Sequence, residues 1–236
     1  MIPKKIHYCW FGGKPLPSDV KKCICSWKKH CPDYEIIQWD ESNFDVQSHP
    51  FLKSAYEAKA WAFVSDFARL KVVYENGGIY LDTDVELLKN LDFLLDNKCY
   101  VGIEQLDGFC ATGLGFGAEK GSAAIQRMLA EYQDLIYEPE KAVQLACPHL
   151  NMHAIQSFGY ETTQEIWKCE EVTVYPCRFF DPLAPGNTKN LLCEDTISIH
   201  HYSATWTSTG NQMKRKLHNL IGEKNILKIK EWIRRN

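Results

Sequence analysis

Gly77-Gly78-Ile79-Tyr80-Leu81-Asp82-Thr83-Asp84-Val85-Glu86-Leu87 is the stretch on which the reading of this chain turns. Two glycines stop what precedes them. The β-branched and aromatic residues that follow read as a strand over 79–87 that turns acidic along its length. On an extended backbone, side chains two apart share a face, so Asp82 and Asp84 point the same way. Carboxylates that close repel one another unless a cation lies beside them. Mg²⁺ or Mn²⁺ accepts such ligands and keeps positions open for phosphate oxygens. The bland alternative is a solvated strand end with two surface acids, and an Asp-x-Asp by itself does not separate the two.

Upstream, a helical pattern runs from Pro50 to Tyr74 with a break near Lys59. Trp61, Val64, Ala68 and Val72 recur at helical spacing, and Asn76-Gly77-Gly78 is the C-terminal stop. Asp66 and Arg69 sit three apart and project from one face of this helix. An acid and a base on a largely apolar helix are costly unless solvated, paired or functional. Nearer the start, Ile6–Phe11 reads as a strand stopped by Gly12-Gly13. A helix follows, capped at Pro17-Ser18, with an apolar face of Val20, Cys23, Ile24 and Trp27, and it ends at Pro32. Tyr34–Trp39 is the next strand. Strand, helix, strand is a βαβ unit, hence a parallel pair with a right-handed crossover. The fold class is therefore α/β, and such folds place ligands at the carboxyl ends of their strands.

Downstream, strands are expected at Tyr100–Glu104, Gly113–Ala118, Glu171–Tyr175 and Thr196–Tyr202, with a helix over Ser122–Tyr137 and a loop over Pro182–Asn190. The last strand runs into His200-His201-Tyr202-Ser203-Ala204-Thr205-Trp206, which sets metal-capable imidazoles beside hydroxyls and an indole. No repeat or linker divides the chain. One α/β domain over 1–210 and a basic helical tail over 211–236 is the expected organisation.

Composition narrows the function classes. With 236 residues, 45% hydrophobic and 24% charged, the chain is an ordinary globular sequence and not a disordered or fibrous one. No apolar run approaches the ~18 residues that would span a bilayer. The first residues lack the pattern of a secretory signal, so a cytoplasmic location is expected. The ten cysteines include no Cys-x-x-Cys pair, which removes zinc ribbons and thioredoxin-like chemistry and leaves mostly small buried hydrophobes. Residues 211–236 carry eight basic and two acidic side chains, while the net charge of the whole is −3. The remainder is thus acidic, and no nucleic-acid partner is expected. The tail's apolar stripes (Met213, Leu217, Leu220, Ile221, then Ile226, Ile229, Trp232, Ile233) fit amphipathic helices packed on the domain, or peripheral contact with an anionic membrane.

Ser65-Asp66-Phe67-Ala68-Arg69-Leu70, followed by Tyr74-Glu75-Asn76-Gly77-Gly78-Ile79-Tyr80-Leu81-Asp82-Thr83-Asp84, resembles the signature of the Asp-x-Asp sugar-nucleotide glycosyltransferases of family 32. Ile2–Gly13 is similar to that family's opening strand, and the His200–Trp206 run to its C-terminal active-site segment. Residues 105–195 add little to the likeness. The resemblance implies a GT-A fold, a divalent metal (Mn²⁺ or Mg²⁺), a sugar-nucleotide donor and transfer with retention. It implies donor binding by Trp10, stacked on the base, and by the adjacent Phe11. Asp66 and Arg69 would bind the donor sugar and ribose, with Tyr80 near the nucleotide and Trp206 near the leaving diphosphate. Asp82 and Asp84 would hold metal and ribose-diphosphate, with His200 or His201 as a further metal ligand; strand alternation sends the two rings to opposite faces and leaves the choice open. Asp66, Arg69, Asp82 and Asp84 form the expected catalytic set. UDP-galactose or UDP-glucose is the expected donor, with GDP-mannose second, and the acceptor is a saccharide, free or lipid-linked. Glycines 113, 115 and 117 are expected to let backbone approach the sugar. Two competing readings are a haloacid-dehalogenase-like phosphatase, which wants Thr or Val where Glu86 stands, and a noncatalytic sugar-binding module.

Overall fold

The computed structural model describes residues 1–186 and 189–203. β1 (Lys5–Cys9), α1 (Ser18–His30) and β2 (Glu35–Trp39) form the expected βαβ unit, with β1 and β2 parallel from Lys5 opposite Glu35 to Cys9 opposite Trp39. α1 buries the anticipated face of Val20, Cys23, Ile24 and Trp27. Its N-cap is Pro17, however, and no side chain caps it. α2 (Pro50–Glu57) and α3 (Trp61–Asn76) divide where expected, at Lys59, which takes a left-handed φ of 55°.

β3 (Gly78–Tyr80) lies parallel to β1, with Ile6 opposite Ile79 and His7 opposite Tyr80. The anticipated strand over 79–87 is in fact two short strands in different sheets. The chain turns through Asp82-Thr83-Asp84, where the Val85 amide donates to the Asp82 carbonyl at 3.0 Å, and only then enters β4 (Val85–Leu87). Three polar residues in succession favour that turn over continued extension. β5 (Cys99–Gly102) and β6 (Phe116–Ala118) follow, the latter after a 3₁₀ turn at Thr112–Leu114, so only the second half of the Gly113–Ala118 run is strand. α4 (Ala123–Ala130) stops well short of Tyr137, and α5 (Cys147–Gln156) was not anticipated at all. β7 (Trp167–Lys168), β8 (Thr173–Tyr175) and β9 (Ser198–His200) complete the described chain.

The main sheet is mixed, seven strands in the order β2-β1-β3-β6-β5-β8-β7, and β4 pairs with β9 in a separate ribbon. Alternation along the strands loads both faces. Cys9, Tyr80 and Phe116 pack with residues of α2, α3, α4 and α5, while Tyr8, Ile79 and Tyr100 pack with α1 and with Leu91 and Leu94. Two contacts fix the Asp82–Asp84 turn. The buried His7 imidazole accepts from Trp39 Nε1 through Nδ1 (3.1 Å), so its Nε2–H donates to the Gly77 carbonyl (2.8 Å) and sets the entry to β3. On the far side Trp27 Nε1 donates to the Val85 carbonyl at 2.7 Å. Seven of the ten cysteines are buried and all are free, as their reading as core residues requires.

Candidate active site

The turn at the end of β3 lies at the carboxyl edge of the parallel strands β1 and β3, the edge where α/β sheets take ligands. β9 runs antiparallel to β4 with His200 opposite Val85, which brings its imidazole onto the acidic turn. His200 Nε2 is 3.1 Å from Asp84 Oδ1. The other Asp84 oxygen accepts from the Ser203 amide at 2.7 Å, and its carbonyl accepts from the His201 amide at 3.0 Å. Ligand atoms of Asp82, Asp84 and His200 all fall within 4.8 Å of one another. His201 is not among them: its ring meets Glu86 at 2.9 Å on the exposed side. The two rings of the doublet thus lie on opposite sides of the chain, His200 toward the acidic turn and His201 toward solvent.

A buried charge network stands behind the turn. α3 is buried nearly all round, and Asp66 and Arg69 are 7% and 4% exposed. Arg69 Nη2 lies 2.7 Å from Asp66 Oδ1 and 3.4 Å from Asp82 Oδ1. The same guanidinium sits 5.2 Å over the Tyr80 ring, and Tyr80 donates its hydroxyl proton to Asp82 Oδ1 at 3.0 Å. Burial pushes Asp66 up to about 6 against the pull of Arg69, and likewise raises Asp82. Asp84 goes the other way: burial opposes its charge, but His200 and the Ser203 amide hold it down at about 2. His200 mirrors this, with Asp84 and Asp82 overcoming burial to lift it to about 9. Gly113 closes the network, since a Cβ there would stand 2.4 Å from Asp82 Oδ2 and 3.1 Å from Arg69 Nη1. Gly115 and Gly117 do not share that role: added Cβ atoms would meet Leu81 and Tyr100 in the packing around the sheet.

Several neighbours escaped the sequence reading. Arg69 Nη1 faces Thr112 Oγ1 at 3.5 Å, and Asn151 on α5 donates to the same oxygen at 3.1 Å. Asp181 is fully buried and accepts from the Gln105 amide (2.7 Å) and the Tyr202 hydroxyl (2.8 Å). Glu104 lies close by, pushed up to about 7 by burial and by Asp107 and Asp181. These residues come from loops without local periodicity. Only Tyr202 carried a signal, its place beside the histidines.

Two of the expected donor contacts are buried in the protein. Phe11 is 7% exposed and packs edge-on against Phe44, so it is a core residue. Tyr80 is 1% exposed and acts on Asp82 from within. Trp10, at the end of β1, is half-buried, and its indole N–H donates to the Lys14 carbonyl. Trp206 and the tail over 211–236 lie outside the described residues.

Two carboxylates and an imidazole converging at this spacing suit a divalent cation of Mn²⁺ type, which takes oxygen ligands and tolerates nitrogen. The mixed sheet and the acidic turn on its carboxyl edge together define a GT-A glycosyltransferase fold. Residues 17–101 match the family described as a glycosyltransferase sugar-binding region containing the DXD motif. It is 31% identical over 123 residues to inositol phosphoceramide mannosyltransferase 3 of Schizosaccharomyces pombe, covering 49% of this chain and 33% of that protein. An uncharacterized glycosyltransferase of Acanthamoeba polyphaga mimivirus is 34% identical over 105 residues, covering 40% of each. The chain thus spans well under two thirds of these relatives. Among solved structures, the PaToxG glycosyltransferase shares the fold, with a TM-score of 0.55 at 20% identity over 66% of this chain and 70% of that one.

Proposed function

We propose that the protein is a metal-dependent glycosyltransferase that moves a hexose from a sugar nucleotide to a saccharide or glycolipid acceptor, with retention of configuration. The observation that carries this reading is the convergence of Asp82, Asp84 and His200 beside the buried Asp66–Arg69 pair. When bound there, a divalent ion supplies Lewis-acid neutralisation of charge on the leaving diphosphate. The protein's own groups do the rest. Arg69 and the Tyr80 hydroxyl hold one Asp82 oxygen in place, and the Ser203 amide holds Asp84, so the carboxylates need no reorganisation as charge develops. Trp10 offers an indole on the same edge for the nucleotide base.

For the donor, the UDP-hexoses expected from the sequence stand beside GDP-mannose, the second expectation, and the name of the fission-yeast mannosyltransferase favours mannose as the sugar. That relative's name also supports a lipid acceptor. No described helix is long and apolar enough to cross a membrane. The basic composition of segment 211–236 suits peripheral contact with an anionic membrane surface. Sedimentation with anionic and neutral vesicles, with and without residues 223–236, tests that part.

Incubation with UDP-galactose, UDP-glucose and GDP-mannose, with Mn²⁺ or EDTA, tests the whole. Release of nucleoside diphosphate that depends on Mn²⁺ is expected, and NMR coupling of the product reads the anomeric outcome. No release from any sugar nucleotide overturns the transferase reading. Release of inorganic phosphate from monoesters would point to the phosphatase instead.

A further inference from the structure

Tyr202 has a φ of +50°, and the only other non-glycine residue with positive φ among those described is Lys59, at the break between α2 and α3. A bulky side chain in the left-handed region is strained, and such strain persists only where surrounding contacts over-determine it. Here the contacts can be named. The bend lays the Tyr202 ring against the His200 ring, with centroids 4.1 Å apart. It also aims the Tyr202 hydroxyl at Asp181 Oδ2 (2.8 Å) and the following amide, that of Ser203, at Asp84 Oδ2 (2.7 Å).

We propose that Tyr202 and Asp181 are positioning residues that hold the His200 imidazole in its metal-ligating orientation, an inference that rests on reading Asp82, Asp84 and His200 as metal ligands. A histidine that ligates through one nitrogen is ordinarily oriented through the other by a carboxylate, carbonyl or water. His200 Nε2 faces Asp84, and its Nδ1 is enclosed without a hydrogen-bond partner among the described residues. Ring orientation therefore falls to the Tyr202 face. Tyr202 is fixed in turn by Asp181, a fully buried carboxylate that also accepts from the Gln105 amide at 2.7 Å. One buried side chain thus ties the segment after Ile103, the 179–186 stretch and the end of β9 to the metal site.

The test is Mn²⁺ binding by the full chain, followed by the electron paramagnetic resonance of free Mn²⁺, with melting temperature recorded in parallel. Tyr202→Phe keeps the ring and removes the hydroxyl; Asp181→Asn removes the charge. Each should weaken Mn²⁺ binding by about 10-fold, the lower end of what loss of an outer-sphere partner costs. The double variant should be no weaker than the single ones, because both cut the same link. Unchanged Mn²⁺ affinity in a folded Tyr202→Phe protein overturns the inference, and that variant decides alone if Asp181→Asn does not fold. Equal losses of melting temperature and affinity that add in the double variant would reduce the pair to a structural tie and overturn it too. Failure of the unaltered protein to bind Mn²⁺ overturns the metal reading itself, and this inference with it.

Discussion

The His200 imidazole lies 3.1 Å from the Asp84 carboxylate, whereas His201, the next residue, turns its ring outward to Glu86. The doublet therefore separates into one histidine that faces the acidic turn and one that faces solvent. Asp84→Asn should cost at least ~10²-fold in turnover, the size of effect when one electrostatic stabiliser is lost. His200→Ala should weaken Mn²⁺ binding strongly. His201→Ala, at a solvent-exposed pair, should stay within about twofold in activity, in line with the ±0.5 kcal/mol typical of surface changes. Nucleotide release measured across Mn²⁺ concentrations for the three variants checks the assignment; a larger defect in His201→Ala would reverse it.

Among the described residues, Arg69 is the one cation between Asp66 and Asp82 in the buried network, at 2.7 and 3.4 Å. Removing one partner of a buried ion pair costs about 3–5 kcal/mol, because the charges left behind have lost both water and counter-charge. Arg69→Ala should therefore lose stability in that range along with activity. Arg69→Lys should recover little, since an ammonium lacks the planar face that lies over the Tyr80 ring and the further N–H groups that reach Ser65 and Thr112. Denaturant titration and nucleotide release on the same samples read both effects.

The parts of this site that were legible in the sequence are those with local chemistry. Asp82 and Asp84 stand beside a glycine pair, and Asp66 and Arg69 share a helix face, so short-range periodicity and turn residues suffice to place them. The βαβ unit was legible for the same reason. What the sequence hid depends on contacts far apart in the chain. The break of the expected 79–87 strand follows from β4 pairing with β9, more than a hundred residues later. The choice between His200 and His201 needed the same pairing. α5 begins at Cys147-Pro148, after a stretch of short turns, and shows no clean apolar stripe because its buried side includes Asn151. The burial of Phe11 and Tyr80 is hidden as well, because an aromatic residue near a site looks alike from sequence whether it faces ligand or core.

Gly113 offers a sharper probe of the geometry than any charged residue. Its missing side chain leaves the space in which Asp82 and Arg69 meet. Gly113→Ala puts a methyl group 2.4 Å from Asp82 Oδ2, so the carboxylate must move. Overpacking of this kind costs about 1–3 kcal/mol, and a displacement near 1 Å at a reacting centre can cost about 10²-fold in rate. The expected result is a folded protein with a modestly lower melting temperature and a large loss of turnover. Gly115→Ala, set over Leu81 with a φ of +119°, should instead show its defect mainly in stability. Comparable activity losses per degree of melting temperature in both variants would remove Gly113 from the site.

Glu104 has no hydrogen-bond partner for its carboxyl group among the described residues, and burial, Asp107 and Asp181 push it up to about 7 from an ordinary 4.5, with His200 pulling the other way. Tyr202, the remaining ionisable neighbour, stays protonated over this range. Because the folded pKa lies above the unfolded one, the folded protein holds this proton more tightly, and stability falls as pH rises from about 4.5 to about 7. Above that window the ionised carboxylate is fully penalised. Glu104→Gln removes the penalty while keeping shape, so it should change stability little at pH 5 and raise it by about 1–3 kcal/mol at pH 8, each pKa unit being worth 1.36 kcal/mol. Thermal melts of both proteins across pH 4–9 read this directly. A Gln variant that is equally or less stable at pH 8 would show that Glu104 is not penalised for its charge in the folded protein, and that its carboxylate finds a compensating partner there.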